Sequence, residues 1–145
     1  MVAANIMRAA PFTLREDSTL NDLLKALTSE DSKAIPVIDS ANKAIGVIPA
    51  DRLLKELVLN LPAPGGPREI VRNMAGLGKK PVTGLMDKAF AHCSPDTPAT
   101  GIAAAFDGDK AGIILVVDDN MRLLGVITPG DLLKRLWEYK EKETR

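Results

Sequence analysis

Aromatic residues, cysteine and histidine are all scarce in this sequence of 145 residues. Phe, Trp and Tyr make up 3% of a chain that is 46% hydrophobic, so Leu, Ile, Val and Ala must fill the core. The single cysteine, Cys93, excludes an intrachain disulfide, as is typical of proteins in a reducing compartment. Together with the single histidine, His92, it supplies too few ligands for a structural zinc site.

The chain also has no excess of charge and no long hydrophobic run. Nineteen basic and nineteen acidic residues balance, whereas a nucleic-acid-binding surface usually shows a basic excess or stripe. No apolar run approaches the roughly 18 residues of a membrane-spanning helix. The N-terminal MVAANIMRAAPF lacks the basic-then-apolar order of a signal peptide. These absences favour a cytoplasmic protein without a nucleic-acid or membrane partner.

What the sequence does contain is a duplication. The stretches AIPVID at 34–39 and KAIGVI at 43–48 are matched by IILVVD at 113–118 and RLLGVI at 122–127. Gly46 and Gly125 are 79 positions apart, as are Met7 and Met86. A single copy of this size closes only a thin core, so two copies gain stability by burying each other's open sheet faces.

Each copy predicts the order strand, helix, strand, tight turn, strand, helix. The predicted strands are short apolar runs near 12–14, 34–39, 44–48, 90–93, 113–118 and 123–128. Asp39 and Asp118 begin the two turns. A Pro- and Gly-rich connection over 61–80 separates repeat 1 (1–60) from repeat 2 (81–145). Within it, Pro67 opens a short helix that places Ile70, Val71 and Met74 inward and stops at Gly76.

The stretch GVITPGDLL at 125–133 ends a strand and opens a helix. Its Thr128 and Asp131 have the spacing of a capping box, in which both side chains satisfy free N–H groups of the first turn. The same two side chains could instead hold a ligand at the rim of the sheet. If Asp51 is aligned with Asp131, the first copy is one residue shorter and has Pro49 in place of the threonine, and we expect Asp51 to be a simple helix cap.

These motifs resemble a tandem pair of cystathionine-β-synthase (CBS) domains. The matching features are the opening Ile6-Met7 and Leu85-Met86, the strands ending at Asp39 and Asp118, and the closing 125–133 motif. The resemblance implies an α/β (α+β) fold of two β-α-β-β-α repeats, packed sheet to sheet about a pseudo-twofold axis. It also implies a regulatory module that senses AMP, ADP, ATP or S-adenosylmethionine in the cleft between the repeats.

The resemblance further implies which residues bind the ligand. Thr128 and Asp131 would hold the ribose hydroxyls, and the strand regions near them would frame the adenine. The main site would comprise Thr128, Asp131, His92, Ala111, Gly112, Ile113 and Ile114. The second, weaker site would comprise Thr13, Ala34, Ile35, Pro36 and Asp51.

Two hypotheses of function follow from these residues. The first is a stand-alone regulatory module, homodimeric through its helix faces, that reports a bound adenosyl ligand to an unidentified effector protein. The second is a ligand-free dimerisation or scaffolding module in which Thr128 and Asp131 only cap a helix. An enzyme is not expected, because His92 and Cys93 point to opposite faces of a strand and no paired carboxylates stand out. No metal or catalytic cofactor is predicted.

Overall fold

The computed structural model describes residues 1–10, 12–29, 34–59, 66–108 and 112–143, with the side chains of 27–29 left aside. Its elements are α1 (Ala3–Ile6), β1 (Leu14–Arg15), α2 (Leu20–Ser29), β2 (Ala34–Ile38), β3 (Ala44–Pro49), α3 (Ala50–Leu54), α4 (Pro67–Leu77), β4 (His92–Cys93), α5 (Ala99–Phe106), β5 (Ile114–Val117), β6 (Leu123–Ile127) and α6 (Pro129–Glu143). A π-helical turn, Lys55–Leu59, continues α3, and a 3₁₀ turn, Val82–Gly84, precedes β4.

The strands form two three-stranded sheets of identical topology. In the first sheet β2 lies between β1, to which it is parallel, and β3, to which it is antiparallel. The second sheet repeats this order with β4, β5 and β6. Both sheets have an irregularity at the matched position, between Val37 and Ile38 and between Val116 and Val117. The predicted duplication of an α+β unit is therefore confirmed.

Each antiparallel pair of strands closes through the aspartate turn that the sequence predicts. Oδ1 of Asp39 accepts hydrogen bonds from the backbone N–H groups two and four residues later, at 2.8 and 3.0 Å. Oδ1 of Asp118 makes the same two contacts, both at 2.9 Å. Asn42 and Met121 take the left-handed conformation, with φ of 63° and 65°. Asparagine tolerates this backbone better than methionine does.

Three hydrophobic clusters arrange these elements as helices, sheet, sheet, helices. Ile35 packs against helices of the first repeat and Ile114 against helices of the second. Their strand neighbours Ala34, Ile113 and Leu115 belong to a middle cluster that contains residues of both sheets. Side chains alternate in this way because successive strand residues face opposite sides of a sheet. The predicted sheet-to-sheet packing is confirmed.

The segment that opens each repeat pairs with the closing strand of the other repeat. The N–H of Arg8 donates to the carbonyl of Val126 at 3.1 Å, and the N–H of Val126 donates back at 2.9 Å. Asp87 and Val47 exchange the equivalent bonds at 2.7 and 3.1 Å. The 3₁₀ turn just before Asp87 also lies on the first repeat, because Val82 is buried in the hydrophobic cluster of that repeat. The two repeats are thus interlocked rather than merely stacked.

Gly46 and Gly125 make this close approach possible. A Cβ on Gly46 would lie 2.9 Å from the carbonyl oxygen of Asp87, and a Cβ on Gly125 would lie 2.9 Å from that of Arg8. In both places the Sδ atom of the opening methionine is equally close, at 2.9 Å. A side chain at either glycine would therefore push the crossing segment away from the strand.

The observed boundaries differ from the predicted ones at the opening strands and at α4. The opening strands are two residues long and start later than predicted, because residues such as Arg8 first pair with the other repeat. Helix α4 continues past Gly76 to Leu77, and the prediction that Val71 faces inward is wrong, since its side chain is 62% exposed. Of the helices in the described ranges, none is both long and apolar enough to cross a membrane.

Candidate ligand-binding site

Thr128 and Asp131 form a capping box at the start of α6. Oδ2 of Asp131 accepts hydrogen bonds from the backbone N–H of Thr128 at 2.8 Å and from its hydroxyl at 2.9 Å. The N–H of Asp131 lies 3.3 Å from the threonine hydroxyl oxygen, which accepts in return. The capping interpretation of this motif is confirmed.

The same local geometry occurs at a second helix. Thr19 and Asp22 have the same spacing at the start of α2, where Oδ2 of Asp22 accepts from the Thr19 N–H at 2.9 Å and from the hydroxyl at 3.2 Å. A Thr-x-x-Asp motif therefore explains its own internal hydrogen bonds without any ligand. Whatever distinguishes Asp131 must lie in its other contacts.

Asp131 differs from Asp22 in its contact with the opposite repeat. Nε of Arg8 lies 3.2 Å from Oδ1 and 3.1 Å from Oδ2 of Asp131, so the guanidinium donates to both carboxylate oxygens. The side chain of Asp131 is 21% exposed and that of Arg8 is 45% exposed. The carboxylate is therefore largely enclosed, and part of its cover is Arg8, whose side chain is half exposed.

A cavity of about 230 Å³ lies along the same strand. Its walls come from both repeats: Ala9, Ala10, Thr13, Ile38, Asn42 and residues 123–125 of β6. The described walls are largely apolar, and Thr13 and Asn42 are the polar residues among them. Because residues 8–10 run antiparallel to β6, the cavity and the Arg8–Asp131 pair lie side by side along one crossing segment.

The structure separates the residues that the sequence groups with Asp131. Ile113 is buried between the two sheets, whereas Ile114 is fully buried against the helices of the second repeat. The side chains of Ile114 and Ile127 therefore do not face the space between the repeats. Gly112 precedes β5 in the left-handed conformation, with φ of 70°. Ala111 lies outside the described residues.

Thr13 lies beside the second repeat, whereas the sequence predicts that it belongs to the site near Asp51 in the first repeat. It was grouped with Asp51, yet it lines the cavity along β6, the strand that leads to Thr128. The cause is the crossing of the opening segments, in which Arg8 pairs with Val126 and Ala9, Ala10 and Thr13 line the cavity beside β6. Of its predicted partners, Ala34 is buried between the sheets and Ile35 is buried against helices. Pro36 is also buried, within β2.

Helix α3 of the first repeat, which matches α6, does not present a carboxylate in the way that α6 presents Asp131. Asp51 is exposed and makes no side-chain hydrogen bond with any described residue, so the expected helix cap is wrong. In its place Arg52 forms an ion pair with Asp87 at 2.5 Å, and its Nη1 donates to the carbonyl of Leu85 at 3.3 Å. A cation rather than a carboxylate therefore projects from α3 toward the crossing segment.

His92 and Cys93 have separate environments, as their strand positions predict. His92 is exposed and its ring lies 5.7 Å from that of Phe90. Cys93 packs on the helix side of the second sheet, where burial raises the pKa of its thiol and a hydrogen bond with Thr97 partly opposes this rise. The two side chains do not form a nucleophile and base pair.

Arg8 is the site residue that sequence reasoning missed. It follows the opening methionine directly, and the matched position of the second copy is Asp87. Both residues pair with a charged residue in the first turn of the helix after the closing strand of the other repeat, Arg8 with Asp131 and Asp87 with Arg52. Opposite charges at matched positions of a duplication were the available signal, but they become meaningful only once the crossing of the segments is known.

Comparison with known proteins places this geometry in context. The model of the CBS domain family matches residues 2–59 and 82–138. The chain is 29% identical over 135 residues to an A-adding tRNA nucleotidyltransferase of Geobacter sulfurreducens, a match that covers 93% of this chain and 13% of that protein. The chain therefore spans only a small part of this relative's length.

Solved structures share the fold at lower identity. The CBS-pair protein CBSX2 of Arabidopsis thaliana superimposes with a TM-score of 0.83 at 20% identity, over 97% of this chain and 96% of that one. A structure of CBSX2 in complex with AMP gives a TM-score of 0.76 at 20% identity, over 96% of this chain and 98% of that one. The CBS domain pair of protein MJ0100, in complex with 5′-methylthioadenosine and S-adenosyl-L-methionine, gives 0.73 at 21% identity, over 97% and 98%.

Proposed function

The chain belongs to the CBS domain family, and from this premise we propose that it binds an adenosyl compound between its two repeats. The bound ligand shifts the population between two arrangements of the repeats, and a separate protein reads the change. Such a shift can be no larger than the difference in the ligand's affinity for the two arrangements. The ligand is an adenine nucleotide or S-adenosylmethionine acting as a regulator, with no part in catalysis.

The observation that carries this proposal is the carboxylate of Asp131 beside a cavity whose walls come from both repeats. A ribose diol presents two adjacent hydroxyl donors, and a carboxylate accepts both with charge-assisted hydrogen bonds. Thr128 lies three positions after Gly125, which is on the cavity wall, and three steps correspond to about 10 Å along a strand. An adenosine moiety can bridge this span with its purine in the cavity and its ribose at Asp131.

The dimensions and charges of the surroundings agree with this placement. The cavity of about 230 Å³ is smaller than the roughly 300–1,000 Å³ of typical small-molecule sites. It therefore suits the purine alone, with the rest of the ligand lying along β6. Helix α6 is 15 residues long, and its positive N-terminal end favours a phosphate group nearby.

Two solved structures with the same fold support the class of ligand. The CBSX2 complex is a complex with AMP, and the MJ0100 complex is one with 5′-methylthioadenosine and S-adenosyl-L-methionine. All three compounds contain adenosine with a free ribose diol. We propose that the shared adenosine moiety, rather than any one 5′ group, is what the cleft of this protein recognises first.

Isothermal titration with AMP, ATP, S-adenosylmethionine and 5′-methylthioadenosine tests the proposal. Saturable binding of at least one compound is expected, weakened about tenfold or more in Asp131→Asn, because the amide loses one charged acceptor. Asp51→Asn is the matched control and should leave the affinity unchanged. No binding of any of the four compounds, or equal loss in both variants, would contradict the proposed site.

A dimerisation or scaffolding function is the second candidate, and a surface of α6 favours it. Leu133, Leu136 and Trp137 are 66%, 44% and 59% exposed and are spaced along one helix face. An exposed apolar patch of this kind is typical of a protein interface. We propose that this face joins two copies of the chain in a homodimer.

Analytical ultracentrifugation of the wild type and of the double variant Leu133→Glu, Trp137→Glu tests the dimer. The wild type should sediment as a dimer and the variant as a folded monomer, since two carboxylates would be buried in the interface. The control pair Glu138→Gln and Lys134→Gln lies on the same helix and should stay dimeric. If the double variant is still a dimer, the interface lies on another surface of the chain.

A further inference from the structure

Arg8 occupies the carboxylate that the proposed ligand needs. Its Nε donates to both Asp131 oxygens, and Oδ2 already accepts two hydrogen bonds from Thr128. A carboxylate offers about four acceptor positions, and a ribose diol needs two of them on the side where Arg8 lies. Diol binding therefore requires that the guanidinium moves away.

The contacts of Arg8 show which part of it can move. Its backbone is fixed to β6, because Arg8 and Val126 exchange two hydrogen bonds of 3.1 and 2.9 Å. Its side chain is 45% exposed and is held by the Asp131 carboxylate. The terminal nitrogens Nη1 and Nη2 have no hydrogen-bond acceptor among the described residues. The guanidinium can thus swing about a fixed Cα while keeping several free donors.

We propose that Arg8 selects anionic adenosyl ligands by an exchange of partners. In the free protein it pairs with Asp131 and closes the ribose position. When the diol takes the carboxylate, the released guanidinium finds a new anion only if the 5′ group of the ligand carries one. This inference rests on the proposed adenosyl site and narrows its ligand class to nucleotides with a 5′ phosphate.

The charge of the 5′ group then sets the order of affinities. The phosphate of AMP offers two oxygens that a planar guanidinium can bind in a bidentate manner. Adenosine offers the same diol and purine but no anion, so the displaced arginine is left without its partner. S-adenosylmethionine carries a sulfonium cation next to the ribose, which repels the guanidinium, and its carboxylate lies four bonds beyond the sulfur, beside an ammonium group. AMP should bind more tightly than adenosine, and S-adenosylmethionine should gain less from Arg8 than AMP does.

Equilibrium titrations of the wild type and Arg8→Gln with AMP and adenosine test the exchange. In the variant, AMP affinity should fall about tenfold, because a charge-assisted contact is lost. Adenosine affinity should rise by about two- to fivefold, because its competitor was an exposed ion pair of modest strength. Arg8→Lys keeps the cation and should retain a preference for AMP. Arg52→Gln, at the other end of the repeat pair, should change neither affinity.

The outcomes separate this inference from the site on which it rests. Binding that depends on Asp131 but shows the same AMP-to-adenosine ratio with and without Arg8 would overturn the exchange and leave the adenosyl site standing. An equal loss of both affinities in Arg8→Gln would assign Arg8 a purely structural role. If neither protein binds AMP or adenosine, the adenosyl site and the exchange both fail. A melting curve of each variant confirms that it is folded.

Discussion

The two ends of the repeat pair contain the same ion pair with opposite polarity. At the second repeat the helix supplies the anion, Asp131, and the crossing segment supplies the cation, Arg8. At the first repeat the helix supplies the cation, Arg52, and the crossing segment supplies the anion, Asp87. An ion pair of either polarity holds the opening segment of one repeat, at Arg8 or Asp87, against the last helix of the other repeat, α6 or α3. The fold therefore does not require a carboxylate on the helix, and only the second end presents one toward the space between the repeats.

The alignment of Asp51 with Asp131 across a one-residue gap is wrong, because α3 and α6 begin 79 positions apart, the same spacing as Gly46 and Gly125. Helix α6 begins at Pro129, so Asp131 is its third residue and reaches back to the preceding threonine, as a capping box requires. Helix α3 begins at Ala50, which makes Asp51 only its second residue. A shift of one position rotates a side chain by about 100° around a helix. Asp51 therefore points to solvent.

The largest effect should come from the cores, where the two repeats are most alike. Ile114→Ala and its match Ile35→Ala each remove a branched side chain that is 0% and 1% exposed. Each should lower the free energy of unfolding by about 2–5 kcal/mol, from lost burial plus a cavity. Urea titration followed by circular dichroism measures both. A cost in one repeat and none in the other would break the equivalence of the two cores.

The next effect tests the crossing segments. In Gly125→Ala and Gly46→Ala the new Cβ meets a backbone carbonyl at 2.9 Å. A backbone carbonyl cannot rotate away as a side chain can, so the free energy of unfolding of each variant should fall by about 1–3 kcal/mol through overpacking. Gly84→Ala is a suitable control, since its Cβ would meet nothing within 4 Å. Equal stability of all three variants would show that the crossing segments yield easily.

A smaller effect should separate the two closing helices. Thr128→Ala removes the hydroxyl of the capping box and should cost about 1 kcal/mol. Asp51→Ala removes a side chain without a described partner and should stay within about 0.5 kcal/mol of the wild type. Thermal unfolding of the two variants side by side measures the difference. A larger loss in Asp51→Ala than in Thr128→Ala would contradict the assignment of the caps.

The strands, turns and helix starts within each repeat were predictable from sequence because they depend on local patterns. Apolar strands, the Asp39 and Asp118 turns and the Thr128–Asp131 cap each follow from neighbouring residues. The interlocking of the repeats was not predictable in this way. It depends on which sheet pairs with Arg8, and this choice decides that Thr13 lies beside β6 rather than near Asp51.

Of the candidate site, only the part at the start of α6 was predictable from sequence. Thr128 and Asp131 belong to one short motif, so their mutual contacts follow from spacing alone. Arg8 is 123 positions away from its partner, and no periodicity connects the two. Ile113 and Ile114 show the same limit, because alternation predicts that they face opposite sides but does not say which side faces the other repeat.

The smallest effect concerns the hairpins, where the two repeats meet again through the bridge of Lys43 and Arg122. The pKa of Asp118 is lowered from 3.8, chiefly because the Arg122 N–H donates to the carboxylate, with smaller contributions from the Asn120 N–H and from the charges of Arg122 and Lys43. A lowered folded pKa gives a stabilising contribution that is present above the unfolded value and is lost as the pH falls through the folded value.

In Asp118→Asn the free energy of unfolding should therefore fall less steeply than in the wild type as the pH drops below about 4. Lys43→Met should raise the Asp118 pKa slightly, which a carboxyl ¹³C NMR titration detects. An unchanged titration would mean that the first repeat exerts no electrostatic influence on the turn of the second.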